Sequence, residues 1–536
     1  MSLRVSNIRL SVDEPEAALP ERLRRVLGLP AADIAHWRIL RKSLDARNKG
    51  ALQFVYSTEI TIPDEQARFA QLASQARKRQ ALVERHVEEP FIMPPVGGQP
   101  LSHRPVIIGS GPAGLAAAYF LAEQGYRPLL LERGRPVRDR IRDVAAFDAG
   151  GPFDPESNYL FGEGGAGTFS DGKLTCRGTG PDVRRVLELF AACKGKPSIL
   201  YDYRPHLGSN RLPAVVKALR QRIEALGGEI RFSCRVEDLD LADGRLRGLN
   251  TSSGYLPADV AVLAIGHSAR DTYRMLVERG VPLVPKPFQM GVRIEQSQEA
   301  VNRVKYGATR LEEKLGSADY ALVAHGPHDL FTFCMCAGGH VIPSVSEAGY
   351  FGTNGMSLSG RDSPFANSGL VVTVPVEAFD GNDVLAGVRL QQRYEARAYE
   401  LSRNEYRCPI QRADDFLARR PTRDLPPSSY TRGGLVLADI AALVPPLIAE
   451  ALHHGLPQLD QRWRGRFLAE ATLVAPESRG SAPVRIVRED DSRQSPGVVG
   501  LYPIGEGAGY AGGIVSAAVD GLRTAKAIVA RYARIV

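Results

Sequence analysis

The run Gly109-Ser110-Gly111-Pro112-Ala113-Gly114 follows the apolar triplet Val106-Ile107-Ile108 and opens an Ala- and Leu-rich stretch that reaches Gln124. In that context the spacing predicts a strand, a glycine turn and a helix N-terminus, an arrangement that receives a pyrophosphate. Gly109 permits the tight turn, Gly111 lets the backbone approach the phosphates, and Gly114 lets the helix lie close to the sheet. Pro112 and Ala113 start the helix, whose unpaired N–H groups and positive dipole end favour an anion. Glu132 ends the next apolar stretch and is followed by Arg133. A carboxylate there accepts hydrogen bonds from both hydroxyls of an adenosine ribose and disfavours a 2′-phosphate.

Near the other end, Leu501-Tyr502-Pro503-Ile504 reads as a strand, followed by the glycine-rich Gly505 to Ile514 and then a helical stretch. This resembles the C-terminal FAD motif of Rossmann flavoproteins. The resemblance implies that Gly505 and Glu506 hold the ribityl or pyrophosphate region, and that the backbone near Gly513 and Ile514 faces the flavin carbonyl. A helix dipole there would stabilise the anionic reduced flavin. Two such motifs point to non-covalently bound FAD rather than NAD. A third glycine-rich segment, Phe161 to Lys173, contains Gly165, Ala166 and Thr168. Its glycines permit a loop folded closely over a flat ligand, and Thr168, Ser170 and Lys173 supply donors; a surface loop is the alternative. Ala264 and Gly266 resemble the Ala-x-Gly segment that ends a strand beside the cofactor in such proteins, and Val236 is assigned to the same site.

These segments, with Lys42 to Arg47, Thr332 to Gly339, Asn354 to Ser357, Ala366 to Ser368 and Glu477 to Ile486, resemble the broad family of FAD-dependent dehydrogenases or NAD(P)/FAD-dependent oxidoreductases. The resemblance spans nearly the whole chain. It implies fold and cofactor, not a substrate. Ala337 stands where the family pattern leads one to expect proline.

Four residues are candidates for catalysis. Cys334 and Cys336 share a face if their segment is a strand, so they could form a redox pair or pack as buried cysteines. His340 could serve as general acid or base, or as a hydrogen-bonded structural residue. Arg479, with Glu477 and Arg485 around Ser481-Ala482-Pro483, suits a polar pocket for an anionic or carbonyl substrate, or an internal ion-pair network. The pair His453-His454 reads as a helix cap before Gly455, and no metal site is expected.

The elements that must position these groups form an α/β chain. Residues 100–270 read as the first part of an FAD-binding Rossmann-type, glutathione-reductase-like domain, completed by 490–536. An inserted mixed α+β substrate or cap domain covers 271–489. Residues 1–95 form a small α+β, ferredoxin-like module, with strands in Leu3–Val12 and Leu52–Ile62 and helices at Leu19–Leu27 and Asp64–Glu89. Arg41, Lys42, Arg47 and Lys49 give it a basic rim, and Pro94 to Pro100 reads as a linker.

The 536 residues carry a net charge of +8, but Lys and Arg are interspersed with Asp and Glu, so a nucleic-acid partner is not the expectation. The six cysteines are too sparse for a disulfide framework, and no signal-like or membrane-spanning stretch is visible, which suggests a cytoplasmic protein. The reading is an FAD-dependent oxidoreductase acting on a small organic substrate. NAD(P)H is a candidate transient donor, and a small redox protein is a candidate partner. The alternatives are a flavin-dependent RNA-modifying enzyme and a non-catalytic FAD-bound scaffold or sensor.

Overall fold

Ile107, Leu130 and Val262 point one way from their strands, and Val106, Ile108, Leu129, Leu131, Ala261 and Leu263 the other. Both sets are buried, which is the pattern of a parallel sheet covered on both faces. The computed structural model, which describes residues 2–30, 33–307 and 312–535, builds that sheet from five short parallel strands. Their order is Leu501–Pro503, Ala261–Leu263, Val106–Ile108, Leu129–Leu131 and Glu229–Arg231. Helices Pro112–Glu123, Leu212–Ala225 and Ile514–Arg531 cover one face. An antiparallel sheet of Val236–Ala242, Arg245–Thr251 and Gly254–Pro257 covers the other.

Between Glu229–Arg231 and Val236–Ala242 the chain turns from one sheet to the other at Ser233, whose φ is 52°. The C-terminal helix comes close to Pro112–Glu123 because Gly521 lacks a side chain; a Cβ there would lie 2.1 Å from the carbonyl oxygen of Ala113. The linker runs along that helix, with Gly97 donating to Val529 and Gln99 to Arg531.

The central stretch forms a seven-stranded sheet in the order Val323–Ala324, Leu330–Cys336, Phe365–Val374, Phe288–Ser297, Thr472–Glu477, Cys408–Arg412 and Leu435–Leu437. A hairpin of Gly339–Pro343 and Thr353–Ser357 stands beside it. Helix Pro446–Arg462 runs straight through His453-His454, so these residues do not cap a helix end. The lack of a side chain at Gly455 instead brings the helix onto Leu330, whose Cδ2 would lie 2.7 Å from a Cβ, while His453 stacks on Phe416.

The N-terminal residues run strand, helix, strand, strand, helix, strand. Their antiparallel sheet has the order His36–Asp45, Gln53–Thr61, Ser2–Ser11, Leu82–His86. Helix Glu65–Lys78 is shorter than expected: Gln80, with φ of 61°, reverses the chain and Leu82–His86 becomes an edge strand. Of the basic rim, Lys42 is partly buried against the protein, while Arg41, Arg47 and Lys49 are exposed. Lys42 exchanges backbone hydrogen bonds with Tyr201 and Tyr203, its ammonium pairs with Glu16 at 2.5 Å, Arg41 stacks on Tyr203, and Arg47 pairs with Asp45.

Candidate functional site

The first glycine turn is closed by its own surroundings. Gly109 has φ of 103°, and a Cβ there would lie 2.5 Å from the Ala264 carbonyl oxygen; one on Gly114 would lie 1.9 Å from the Gly109 oxygen. Gly111 differs, because a Cβ added there meets nothing within 4 Å. Its extended backbone at the start of helix Pro112–Glu123 leaves open space at the position where a pyrophosphate would approach.

Glu132, expected to accept from a ribose, already accepts from the protein. It is 4% exposed and accepts from the N–H and hydroxyl of Ser110, and from the N–H groups of Gly134 and Gly162. With both oxygens engaged, it ties the first glycine turn to the third glycine segment. Arg133 is likewise engaged, by Glu156 at 2.6 Å and Asp271 at 3.0 Å. Val236 is buried at the start of its strand, just past Cys234, which donates to the Glu132 carbonyl.

The glycine segment lies over the turn: a Cβ on Gly165 would come within 3.1 Å of Gly111. Ala166 is exposed, but Thr168 and Ser170 are not free donors, since their hydroxyls bond the carbonyls of Glu163 and Gly167. Pro112, Gly164, Gly167, Thr168 and Ile514 meet around one largely apolar cavity, so the segment is packed structure, not a surface loop. Beneath it the fully buried Arg140 donates to the carbonyls of Asn158, Gly162, Glu163 and Gly165, and one of its guanidinium nitrogens is left without a partner. Burial brings it down to about 9, against the pull of Glu132 and Glu163.

Lys173 also turns away from solvent. Its ammonium donates to the Met335 carbonyl and lies 2.9 Å from Asp171. Asp171, buried, also receives the Ser357 hydroxyl and has His206 and Arg361 at 3.6 Å. Burial would raise the Asp171 carboxyl, but these cations outweigh it and hold it well below the usual range. This cluster fastens the third glycine segment to the central sheet.

Cys334 and Cys336 do not occupy equivalent places on a regular strand. Phe333 pairs with Gly369 and Cys336 with Asn367, so one extra residue bulges out, and Cys334 takes a left-handed φ of 43°. Arg293, fully buried, holds this bulge. It donates to the Cys334 carbonyl at 3.2 Å, to Asn367 and Asn354, and through two nitrogens to Glu477. A Cβ on Gly355 would lie 2.5 Å from that guanidinium, so this family segment needs its glycine. Hydrogen bonding from Cys336, with Lys173 and Arg293 nearby, brings the Cys334 thiol down to about 7, while burial pushes Cys336 up.

The C-terminal motif supplies Glu506. Gly505 has φ of 74°, and its N–H donates to Asp520, which Arg488 and Arg493 hold from the other side. Among the described residues, no hydrogen bond reaches the Glu506 carboxyl. His267 Nε2 is 3.8 Å away. Burial pushes Glu506 up to about 7, opposed by Lys286 and reinforced by Cys334, and burial together with Arg479 and Arg270 pushes His267 down to about 3. The imidazole beside Glu506 is therefore neutral. Cβ atoms on Gly266 and Gly512 would meet nothing within 4 Å, and one on Gly513 only the Ser516 hydroxyl at 4.0 Å.

Glu506, Lys173 and His267 feel strong desolvation yet keep 29%, 27% and 14% of their side-chain surface. Gly111 and Gly513 likewise have open space beside their backbone. These residues fit FAD: an open glycine at a helix N-terminus for the pyrophosphate, and an unengaged carboxyl at Glu506 for ribityl hydroxyls.

Arg479 is committed elsewhere. It pairs with Glu395 at 3.0 Å and donates to Ser346 at 2.5 Å; Arg270 grips the same carboxylate at 2.8 Å. Burial would raise Glu395, but the two guanidinia hold it at about 2. Glu477 serves Arg293, and Arg485 lies over Tyr510, so Glu477 and Arg479 take the ion-pair alternative rather than sharing one polar pocket with Arg485. His340 sits opposite Met356 in the hairpin, half-buried. Arg293, Arg270, Glu395, His267, Asp171 and Asp520 escaped the sequence reading. For Arg293 and Asp520 the signal was a charged residue inside an otherwise apolar stretch, Met290 to Ile294 and Ala517 to Leu522; the other four stand among polar or small residues and carried no such signal.

A family model described as "FAD-dependent protein, C-terminal domain-like" matches residues 287–480, and a "NAD(P)-binding Rossmann-like domain" matches 107–165. A domain of unknown function matches 2–61. An uncharacterised protein of Clostridium beijerinckii is 38% identical over 99% of both chains. Among solved structures, glycine oxidase from Bacillus cereus is 12% identical, with 80% of this chain and 95% of that one covered at a TM-score of 0.33. CtdE in complex with FAD is 12% identical, with 78% and 82% covered at a TM-score of 0.32.

Proposed function

Since the chain belongs to a family of FAD-dependent Rossmann-type proteins of the oxidoreductase class, we propose that it moves a hydride or electron pair between non-covalently bound FAD and a small organic molecule in an interior cleft. What supports this reading is that Lys173 and Glu506, from distant stretches of chain, both interact electrostatically with Cys334 and keep side-chain surface, which we take to mark that one interior cleft, with Gly111 open at the pyrophosphate position.

In this reading, residues 100–270 and 490–536 hold the cofactor, 271–489 form the cap, and 1–95 are a ferredoxin-like module, which its strand order supports. When bound, FAD supplies the two-electron chemistry; the protein supplies position and field. Gly111 and the helix behind it take the pyrophosphate, and Glu506 takes ribityl hydroxyls. Helix Ile514–Arg531 directs its N-terminus at the flavin. Glu506, brought to about 7 by burial, is the group able to hold or return a proton there, with the neutral imidazole of His267 beside it. NAD(P)H, where it is the donor, docks transiently at the open side.

The test is anaerobic titration of the FAD-loaded protein with NADH and with NADPH, then exposure of photoreduced protein to electron-poor alkenes, imines and quinones. Bleaching by a nucleotide, or reoxidation by an acceptor faster than free reduced flavin shows, supports the reading. A flavin that exchanges electrons with none of them supports the scaffold or sensor reading instead.

A further inference from the structure

Resting on the flavin site just described, we propose that Cys334 and Cys336 are a redox-active dithiol that exchanges an electron pair with the cofactor. Two cysteines separated by one residue on a regular strand have Cα atoms about 6.6 Å apart, at the long end of what a disulfide spans. The bulge breaks that regular spacing: with Cys334 in a left-handed turn, the Cys336 thiol reaches back and donates to the Cys334 carbonyl at 3.2 Å.

The surroundings treat the two sulfurs differently. Cys336 is fully buried, with its Sγ 3.2 Å from the Cys334 carbonyl, whereas Cys334 keeps exposed surface. Cys334 lies in the fields of Lys173 and Arg293, and acts in turn on Glu506. It is the more accessible sulfur; Cys336 is its buried partner. The other four cysteines are remote from this arrangement in sequence and carry no such pairing.

The exchange balances. The S–S bond accepts two electrons and one proton; it breaks, Cys334 leaves as a thiolate stabilised by Lys173 and Arg293, and Cys336 keeps the proton as a thiol. The reduced flavin that gives up the two electrons and the proton returns to its oxidised form. A short-span disulfide is strained, and strained disulfides are the easily reduced ones. The pair thus gives the site a second two-electron store beside the flavin.

Two measurements test this. Air-oxidised holoenzyme is titrated anaerobically with dithionite, and the same preparation is denatured under acid, alkylated and digested for mass spectrometry. The proposal expects four electrons per FAD, against two for Cys336→Ser. It also expects the peptide carrying Cys334 and Cys336 to be unlabelled and two hydrogens light before reduction, and doubly labelled after it. Two electrons per FAD in the wild type, with both cysteines labelled without reduction, overturns it. The wild-type result decides even where the variant fails to fold. A protein without flavin fails the preceding reading, while the peptide masses still report the disulfide independently.

Discussion

Arg479 Nη2 lies 3.0 Å from Glu395 Oε2, and both side chains are buried. A guanidinium so placed cannot reach a substrate without abandoning a carboxylate that Arg270 also needs. The arrangement locks strand Thr472–Glu477 and its continuation to helix Ala386–Leu401 and to the segment after Gly266.

Arg479→Ala should therefore act on stability. Breaking one side of a buried ion pair costs about 3 to 5 kcal/mol. Urea denaturation should show that loss, with the flavin spectrum of the remaining folded protein unchanged. Unchanged stability with lost turnover would return Arg479 to direct contact with substrate.

Gly111 and Gly114 should separate cofactor binding from folding. Gly111→Val has open space and an ordinary backbone, so the chain should fold and lose FAD. Gly114→Ala puts a methyl 1.9 Å from a backbone oxygen and should fold poorly. Circular dichroism alongside flavin content distinguishes them.

Glu132 should behave as a structural residue. Its carboxylate accepts four donors across two glycine segments, so Glu132→Ala leaves buried N–H groups unpaired, each costing about 1 to 3 kcal/mol. Thermal melting of FAD-free protein should fall substantially; an unchanged midpoint together with weaker FAD binding would restore the ribose role.

Glu506 sets a pH dependence. Its carboxyl rises from the ordinary 4.5 to about 7 in the folded, FAD-free chain, so the native state holds the proton more tightly than the unfolded chain. Its contribution is full below about 4.5 and is lost as pH rises through 7, at most ~3 kcal/mol. Because Gln mimics the protonated carboxyl, the unfolding free energy of wild type should match that of Glu506→Gln most closely near pH 5 and fall below it by a growing margin as pH is raised to 8. A constant difference would contradict it.

The sequence made the nucleotide-binding elements legible because each glycine stands at a strand end before a helix, where local geometry alone demands it. The N-terminal strand His36–Asp45 was hidden by its charges: Arg38, Arg41 and Lys42 look solvated but pair with Glu59, stack on Tyr203 and pair with Glu16. The chemistry at Cys334 was obscured in a different way. A bulge depends on the register between Leu330–Cys336 and Phe365–Val374, and the partner of Arg293 lies 184 residues away at Glu477. No local pattern encodes either.

The most direct test of the shared cleft is hydrogen–deuterium exchange on FAD-free and FAD-loaded protein. Slowed exchange on FAD binding is predicted in four stretches at once: 109–114, 161–173, 334–340 and 505–514. Protection confined to the first, with 334–340 and 505–514 unchanged, would contradict the account.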